Sequence, residues 1–243
     1  MKQLIFDIKE NIALTESVYK MTLSGDTTGI KCGQFVNILL DGLYLRRPIS
    51  VCDCEDGILT IIYKVVGKGT EQMSKMTEGK LDILTELGNG YDISKSGDKP
   101  LLLGGGVGVP PLYMLAKKLI SEGKKVSVVL GFNTKDEIFY EDEFKKLGAD
   151  VYVTTADGSY GIKGFVTDAM KDIDYTYIYT CGPEPMLKAV YKASNTRGQF
   201  SFEERMGCGF GACMGCSCKT VTGYKRICKD GPVLYKEEIL WEN

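Results

Sequence analysis

The stretch that decides the fold reads LLLGGGVGVPP at positions 101–111. Its apolar start is typical of a short buried strand, and its glycines run directly into two prolines. Residues 112–121 then place apolar side chains on one face of a helix, whose first turn tolerates proline. Strand, glycine loop and helix in this order favour a phosphate-binding loop. The glycines do not follow a strict G-x-G-x-x-G pattern, so a plain tight turn is the alternative.

The chain after this loop alternates between strand and helix signals. Strands are predicted at residues 126–130, 151–155 and 177–180, and helices at residues 141–147, 165–171 and 185–194. This alternation predicts a parallel sheet with helices on both faces, which we assign to residues 97–200. Ligands bind such sheets at the carboxyl ends of the strands. The loop at residues 131–137 has two acids and one lysine but no arginine for a 2′-phosphate, which favours NADH over NADPH.

The chain before the loop has a different pattern. Apolar and polar residues alternate at positions 4–8, 18–23, 35–40, 58–66 and 81–85, with turn sequences between them. These short strands predict an antiparallel sandwich or small barrel over residues 1–96.

Two segments of this β domain are suited to phosphate binding. Arg46 and Arg47 stand before the rigid Pro48, and arginine binds phosphate in a bidentate manner. Gly69 and Thr70 open a predicted helix at residues 70–76, where free N–H groups attract anions. The alternative for the arginine pair is an ordinary solvated surface.

Four cysteines near the C-terminus have the spacing of an iron–sulfur site. Cys208, Cys213, Cys216 and Cys228 follow the pattern C-x4-C-x2-C-x11-C, close to that of plant-type [2Fe–2S] ferredoxins. Glycines between the first three suit a loop that wraps closely around a cluster. A zinc site is the alternative, although zinc favours two C-x2–4-C pairs and only one is present. Cys218 has no ligand position in this pattern and is predicted to be a free thiol.

Composition excludes several classes of function. The net charge of −2 does not indicate nucleic-acid binding, and no apolar run is long enough to span a membrane. The N-terminus has no signal-peptide pattern, and clustered cysteines in a chain of this length indicate a reducing cytoplasm. The chain contains no histidine, which excludes histidine acid–base catalysis and Rieske-type ligation. Redox chemistry must therefore depend on a bound organic cofactor.

The combined motifs resemble the ferredoxin-reductase superfamily, which pairs a flavin-binding barrel with a nicotinamide-binding α/β domain. Arg47-Pro48-Ile49-Ser50 is similar to its flavin motif, and Cys181-Gly182-Pro183 with Met186 to its signature beside the nicotinamide. The resemblance implies that Ser50 and Cys181 lie near the reacting rings. It implies the following binding residues: for FAD, Arg47, Pro48, Ile49, Ser50, Ile62, Tyr63, Lys64, Gly69 and Thr70; for NAD, Gly105, Gly106 and Gly108.

The C-terminal motifs narrow the resemblance to one family. Residues 201–209, SFEERMGCG, and residues 228–233, CKDGPV, resemble the electron-transfer subunits of NAD-dependent (class B) dihydroorotate dehydrogenases. One departure is Cys32, where the superfamily usually has proline. Residues 201–243 would then form a small [2Fe–2S] lobe, giving a chain of three domains.

The resemblance also implies a division of labour. This chain would bind FAD, one [2Fe–2S] cluster and NAD(H), and a separate FMN-containing subunit would oxidise dihydroorotate in pyrimidine biosynthesis. The expected assembly is a cytoplasmic heterotetramer of two copies of each subunit, with the partner docked on the lobe around residues 208–228. Alternatives are an NADH-linked subunit of a sulfhydrogenase or of a ferredoxin:NADP reductase complex, and a non-enzymatic module stabilised by zinc.

Overall fold

The first part of the chain forms a closed antiparallel barrel in the computed structural model, which describes residues 1–241. Its strands are β1 (Lys2–Ala13), β2 (Val18–Ser24), β3 (Phe35–Ile38), β4 (Arg47–Glu55), β5 (Ile58–Lys64) and β6 (Lys80–Leu87), with helix α1 (Lys68–Ser74) after β5. The strands follow the order β1-β2-β5-β4-β3-β6, and β6 closes on β1. On β1, Phe6 and Ile8 are buried, whereas Ile5 points outward. This alternation fills the barrel with apolar side chains.

The middle of the chain forms a parallel sheet flanked by helices. Its elements are β7 (Pro100–Gly105), α2 (Tyr113–Ser121), β8 (Ser127–Phe132), α3 (Glu141–Lys146), β9 (Asp150–Thr155), β10 (Ile162–Lys163), α4 (Val166–Ala169), β11 (Tyr177–Cys181), α5 (Glu184–Ala193) and β12 (Gly198–Ser201). The strand order is β10-β9-β8-β7-β11-β12. The chain leaves β7 on one side and returns to pair β11 on the other, so the direction of winding reverses between β7 and β11. Ligands bind at the carboxyl ends of strands at such a point.

The C-terminal segment adds a small hairpin and one further strand. The hairpin consists of β13 (Ser217–Thr220) and β14 (Gly223–Arg226), and the strand is β15 (Val233–Tyr235). Strand β15 pairs antiparallel with β12 and becomes the edge of the large sheet. The segment that contains the clustered cysteines is therefore joined to the α/β sheet through its own backbone.

Side-chain contacts connect the barrel, the parallel sheet and the C-terminal segment. Lys117 on α2 pairs with Asp53 and Glu55 on β4, at 3.1 and 2.6 Å. Between barrel and sheet, the Asn89 side chain bonds both backbone groups of Val233: its Nδ2 donates to the carbonyl at 2.7 Å, and its Oδ1 accepts from the N–H at 3.1 Å. The C-terminal segment is thus held from the barrel side as well as from the sheet.

The predicted architecture is observed: an antiparallel barrel, a parallel α/β sheet and a small C-terminal segment. The sequence analysis did not identify β4, β10, β12, the C-terminal hairpin or β15. Strand β4 begins with the Arg47-Pro48 motif, whose proline weakens a strand signal, and the four residues of β12 include Gly198. Predicted bounds differ from the observed ones by a few residues, as for the helix predicted at 70–76, which spans Lys68–Ser74.

Candidate functional site

The candidate iron–sulfur site brings the four predicted cysteines together in two pairs. Backbone N–H groups of Ala212 and Cys213 donate to Cys208 Sγ at 3.2 and 3.4 Å. On the other side, the backbone N–H of Cys228 donates to Cys216 Sγ at 3.4 Å. The two pairs are close enough for Cys208 to act electrostatically on Cys228. The fold therefore assembles ligands that come from both ends of the segment.

The backbone around the first pair turns sharply. Gly209 and Gly211 have φ values of +77° and +91°, a region that glycine adopts without steric cost. These turns direct main-chain N–H groups at the Cys208 sulfur. Such donors are among the means by which a protein tunes a cluster.

The electrostatics of the cysteines favour metal ligation. Burial opposes ionisation of Cys208, but the surrounding N–H donors outweigh it and lower its pKa to about 6. Burial and the adjacent Cys216 raise the pKa of Cys228 to about 12. A ligand must be deprotonated, so Cys208 is ready to bind near neutral pH, whereas Cys228 needs a nearby cation to release its proton.

The donor set fits a two-iron cluster. Within residues 1–241, no three Cys, Asp or Glu side chains converge tightly enough to enclose a single metal ion. What the segment offers is four thiols, in two pairs, with N–H groups aimed at the sulfurs. Four cysteine thiolates are the ligands of a [2Fe–2S] cluster.

The cysteine loop lies against the barrel beside the predicted flavin motif. Asn37 Nδ2 donates to the Cys208 carbonyl at 3.3 Å, and Asn37 pairs with Pro48 across β3 and β4. Gly209 packs so closely on the Asn37 side chain that a Cβ there would overlap it. Asn37 therefore contacts both the candidate iron–sulfur site and the candidate flavin site.

The predicted phosphate-binding residues of the barrel come together. A Cβ at Gly69 would overlap the Arg47 guanidinium, so this side chain lies directly over the start of α1. Thr70 Oγ1 accepts from the N–H of Val66 at 2.9 Å and of Gly67 at 3.2 Å, which orders the turn before the helix. The rest of the motif runs half-buried along β4: Pro48, Ile49 and Ser50.

The predicted residues on β5 point in two directions. The Tyr63 ring lies inside the barrel, stacked on Tyr19 with centroids 6.0 Å apart, and its hydroxyl donates to Asn11 Oδ1 at 2.9 Å. Neighbours on a strand face opposite sides, so Ile62 and Lys64 are directed away from this interior. Lys64 lines the large cavity described next. Any contact of Tyr63 with a cofactor would be made by its backbone.

A cavity of about 580 Å³ lies at the carboxyl ends of the parallel strands. Gly105 and Gly106 line its floor, and Lys64 reaches it from the barrel. Thr154, at the end of β9, also lines it; its Oγ1 is buried without a hydrogen-bond partner among residues 1–241. An unpaired buried hydroxyl is unfavourable unless a ligand completes it. The cavity has the position and polar groups expected of a nucleotide site.

Gly108 does not line this cavity but supports it. A Cβ at Gly108 would lie 2.6 Å from Gly182 Cα and would overlap the Cys181 carbonyl. The glycine loop after β7 and the end of β11 therefore touch through main-chain atoms. Only glycine allows so close an approach.

Cys181, which the resemblance places near the reacting rings, is buried beside the cavity, and the next residue, Gly182, lines it. Burial raises the pKa of Cys181 above its ordinary value, the nearby Glu203 raises it further, and a hydrogen bond with Ser201 acts in the opposite direction. Cys181 is therefore a neutral thiol at physiological pH. As a neutral group it can pack against an aromatic ring, but it is not a nucleophile.

Asn37 and Thr154 carry no signal that the sequence analysis used, because each sits in a common local sequence. Glu137 entered that analysis only as one of the two acids of the loop at 131–137. Glu203 lies in the SFEERMGCG motif, and that motif was the only sequence signal that could have identified it as a site residue.

Cys218, the predicted free thiol, takes no part in the hydrogen bonds that link the two cysteine pairs within residues 1–241. It lines a second cavity of about 270 Å³, together with Lys219 and Trp241. Burial and the nearby Glu204 raise its pKa, which disfavours the thiolate needed for ligation.

We expect Cys218→Ser to retain a full complement of iron and sulfide, because its side chain faces the second cavity. Visible absorbance and iron analysis of the anaerobically purified protein measure this. Loss of the cluster from this variant would mean that the four ligands are misassigned.

Solved structures with similar folds define the class of the protein. One described as the NADH-dependent reduced ferredoxin-NADP oxidoreductase, studied for flavin-based electron bifurcation, superposes with a TM-score of 0.88 and 32% identity, covering 97% of this chain and 90% of the other. A ferredoxin NADP+ reductase from Neisseria gonorrhoeae with bound FAD and NADP superposes with a TM-score of 0.70, covering 79% of this chain and 90% of the other. Its sequence identity is 17%, so this similarity shows the fold alone. The fold and sites are those of a flavin- and nicotinamide-dependent iron–sulfur oxidoreductase.

Sequence comparisons identify the family within this class. The profile of the iron-sulfur cluster binding domain of dihydroorotate dehydrogenase B matches residues 203–240, and that of the oxidoreductase NAD-binding domain matches residues 102–192. Relatives named dihydroorotate dehydrogenase B (NAD(+)), electron transfer subunit, are 45% identical in Fusobacterium nucleatum and 43% identical in Bacillus pumilus, covering 96% and 98% of both chains. The chain belongs to this family of electron transfer subunits.

Membership of this family confirms the predictions about the type of enzyme and its cofactors. The chain is an NAD-dependent oxidoreductase subunit, and FAD, NAD(H) and an iron–sulfur cluster are the cofactors of its family and fold. A subunit that transfers electrons implies a catalytic partner. Across residues 1–241, none of the helices is long and apolar enough to cross a membrane.

Proposed function

We propose that this chain carries electrons between NAD and an FMN-containing subunit that oxidises dihydroorotate, in the cytoplasmic pathway of pyrimidine biosynthesis. The observation that carries the proposal is the contact of the cysteine loop with Asn37, next to the Arg47–Ser50 motif. This contact supports a one-electron relay, in which the cluster ligands would lie beside the bound flavin.

The residues divide into three proposed sites. The flavin pyrophosphate would be held by Arg47, with Gly69 and Thr70 beneath it and Ser50 near the ring. The nicotinamide nucleotide would occupy the large cavity above Gly105 and Gly106, with Cys181 under the ring. The cluster ligands would be Cys208, Cys213, Cys216 and Cys228. The corresponding domains are residues 1–96, 97–200 and 201–243.

The protein contributes position and charge to this chemistry. When bound, the flavin supplies the conversion between hydride transfer and single-electron transfer. Arg47 offers a fixed charge-assisted donor for phosphate. The N–H groups of Ala212 and Cys213 stabilise negative charge on the Cys208 sulfur. The partner would dock on the lobe around these ligands, in a heterotetramer of two copies of each subunit.

A second candidate function differs only in the partner. The similarity to the NADH-dependent reduced ferredoxin-NADP oxidoreductase, at 32% identity over 97% of the chain, supports a role in such a complex. A sulfhydrogenase subunit belongs to the same group of alternatives. The 45% identity with the Fusobacterium nucleatum subunit favours the dihydroorotate dehydrogenase.

Anaerobic titration of the co-purified complex tests the proposal. We expect FAD and FMN in the same preparation, and bleaching of the flavin and cluster absorbance by either NADH or dihydroorotate. A partner without FMN, or a complex that responds to NADH alone, would support the second candidate. Dihydroorotate oxidation by the isolated chain would contradict the division of labour.

Glu137 is expected to set the preference for NADH. It is the acid of the loop at 131–137 that lines the cavity, and its Oε2 accepts from the Asn133 backbone N–H at 3.1 Å and from Nδ2 at 2.8 Å. A 2′-phosphate bound there would meet a fixed negative charge. We expect Glu137→Gln to shift the ratio of kcat/KM for NADPH over NADH upward by about tenfold, equivalent to about 1.4 kcal/mol.

The matched control is Asp136→Asn, which removes a neighbouring acid that does not line the cavity. The specificity ratio should not move in this control. Equal shifts in the two variants would mean that general surface charge, rather than Glu137, decides the preference.

A further inference from the structure

Asn37 is a polar residue in an otherwise apolar strand. The other three residues of β3 are the buried Phe35, Val36 and Ile38, and Asn37 itself is 1% exposed. Burying an amide costs free energy unless new hydrogen bonds replace those that it made to water. Packing of the barrel therefore gives no reason for an amide at this position, and its hydrogen-bond partners must supply one.

The two ends of the Asn37 amide differ in their hydrogen bonding. At one end, Nδ2 donates to the Cys208 carbonyl at 3.3 Å, and the amide packs directly on Gly209. At the other end, Oδ1 is buried and has no hydrogen-bond partner among residues 1–241. Turning the amide over would set Oδ1 against the Cys208 carbonyl, which is also an acceptor, so this orientation is fixed.

Two other buried amides, Gln34 and Gln199, are bonded at both ends. Gln34 bonds backbone groups at 2.9 Å through Oε1 and through Nε2. Gln199 Oε1 accepts from the Asp92 N–H at 2.8 Å, and its Nε2 donates to the Asp92 carbonyl at 2.8 Å. Buried amides that serve stability alone are satisfied in this way. The unpaired Oδ1 of Asn37 therefore indicates a donor that arrives with a ligand.

Arg46 holds the backbone of Asn37 in place. Its Nη1 donates to the Asn37 carbonyl at 3.3 Å and to the Asp82 carbonyl at 3.0 Å, and it pairs with the Asp82 carboxylate at 2.8 Å. The Arg46 side chain is 18% exposed, so it is not a solvated surface arginine. Across the ladder, Asn37 lies opposite Pro48 of the flavin motif. The amide is therefore fixed relative to the residues proposed to hold the flavin.

A bound flavin can supply the missing donor. A cluster of iron and sulfide carries no N–H or O–H group, whereas FAD carries both, on its ring and on its ribityl chain. On these grounds we propose that Asn37 bridges the two cofactors: Nδ2 holds the cluster loop at Cys208, and Oδ1 accepts a hydrogen bond from the bound flavin. The inference rests on the proposed function and adds a positioning residue to its relay.

The bridge fixes the gap that each electron crosses. One electron at a time passes from the reduced flavin to the cluster, so the flavin is oxidised and the cluster reduced, while Asn37 itself is neither. Electron transfer weakens steeply with distance, so release of the Cys208 loop from β3 slows it. Neither Asn37 nor Cys208 lines the cavity proposed for the nicotinamide, so hydride transfer should not depend on this contact.

Rapid mixing of the complete complex with NADH, in excess FAD, separates the two steps. Asn37→Leu keeps the size of the side chain without its hydrogen bonds, and we expect flavin bleaching at the wild-type rate. Cluster reduction, followed by its electron paramagnetic resonance signal, should slow by about 100-fold, as when a reacting centre moves by about 1 Å. The dissociation constant for FAD should rise by about tenfold, as for loss of one hydrogen bond.

Asn37→Asp tests the two ends of the amide separately. Its carboxylate keeps an acceptor for the flavin but has no N–H to donate to the Cys208 carbonyl. We expect this variant to retain FAD as wild type does and still to reduce its cluster slowly. The g values of the reduced cluster should shift in both Asn37 variants, because the N–H groups of Ala212 and Cys213 that bond Cys208 Sγ lie in the released loop.

Asn89→Leu is the matched control, because the Asn89 amide also ties the C-terminal segment to the barrel side but does so at Val233. It should leave FAD binding, the g values and the rate of cluster reduction unchanged. This substitution removes two hydrogen bonds to the same segment, so an effect of general loosening would appear here as well.

Four results would overturn the inference. The first is unchanged FAD binding in Asn37→Leu, which would mean that water rather than flavin completes Oδ1. The others are equal slowing of both steps in Asn37→Leu, no slowing of cluster reduction, and the same slowing in Asn89→Leu. Failure of the proposed function looks different, since the wild-type complex would then not reduce its cluster with NADH or would not respond to dihydroorotate.

Discussion

Replacing Cys213 with serine should remove the cluster and stop one-electron transfer while leaving the flavin reducible by NADH. Cys213 contributes a side chain to one of the two cysteine pairs, and its N–H donates to Cys208 Sγ at 3.4 Å. A serine hydroxyl remains protonated and cannot replace the thiolate. Iron and sulfide should fall to background, and transfer to a one-electron acceptor at the cluster should fall with them.

The loss should also loosen part of the C-terminal segment. Cluster binding contributes to the folding of so small a unit. Strand β15 should survive, because it pairs with β12 and is bonded by Asn89. We therefore expect limited proteolysis to cut residues 203–230 in Cys213→Ser but not in Cys218→Ser. An intact cluster spectrum in Cys213→Ser would remove this residue from the ligand set.

Replacing Gly108 with alanine should disable the nicotinamide site and leave the other two sites in place. The new methyl group would overlap the Cys181 carbonyl and lie 2.6 Å from Gly182 Cα. Both neighbours are main-chain atoms and cannot rotate away. The glycine loop and the end of β11 must therefore move apart, and a displacement of about 1 Å at a reactive site lowers rates by about 100-fold.

Stopped-flow reduction of the flavin by NADH measures this effect, with FAD and iron content as internal standards. The overpacking should also lower the free energy of unfolding by roughly 1–3 kcal/mol. Gly106→Ala is the comparison variant: Gly106 has a φ of +52° but no atom within 4 Å of an added Cβ. It should show a smaller loss, arising from backbone strain alone. Equal losses in both variants would mean that the contact with Cys181 is unimportant.

Local signals were sufficient for the class of fold. The run at 101–111 and the alternation after it predicted the parallel sheet, because strand and helix periods differ and each is visible in a short window. The cysteine spacing predicted the iron–sulfur segment because a ligand loop confines its residues to a narrow stretch. Such features depend on neighbours in sequence and need no knowledge of distant residues.

The relation between the sites depended on the tertiary structure. The contact of the Cys208 carbonyl with Asn37 and the close approach of Gly108 to Cys181 join residues far apart in the chain. Strand β15 likewise joins the large sheet because the backbone of β12 pairs with it and the side-chain amide of Asn89 bonds Val233. The sequence by itself therefore determined which fold and cofactor classes the chain can support. Folding decided how the sites touch, because closure of the barrel and the winding of the sheet bring distant segments to one edge.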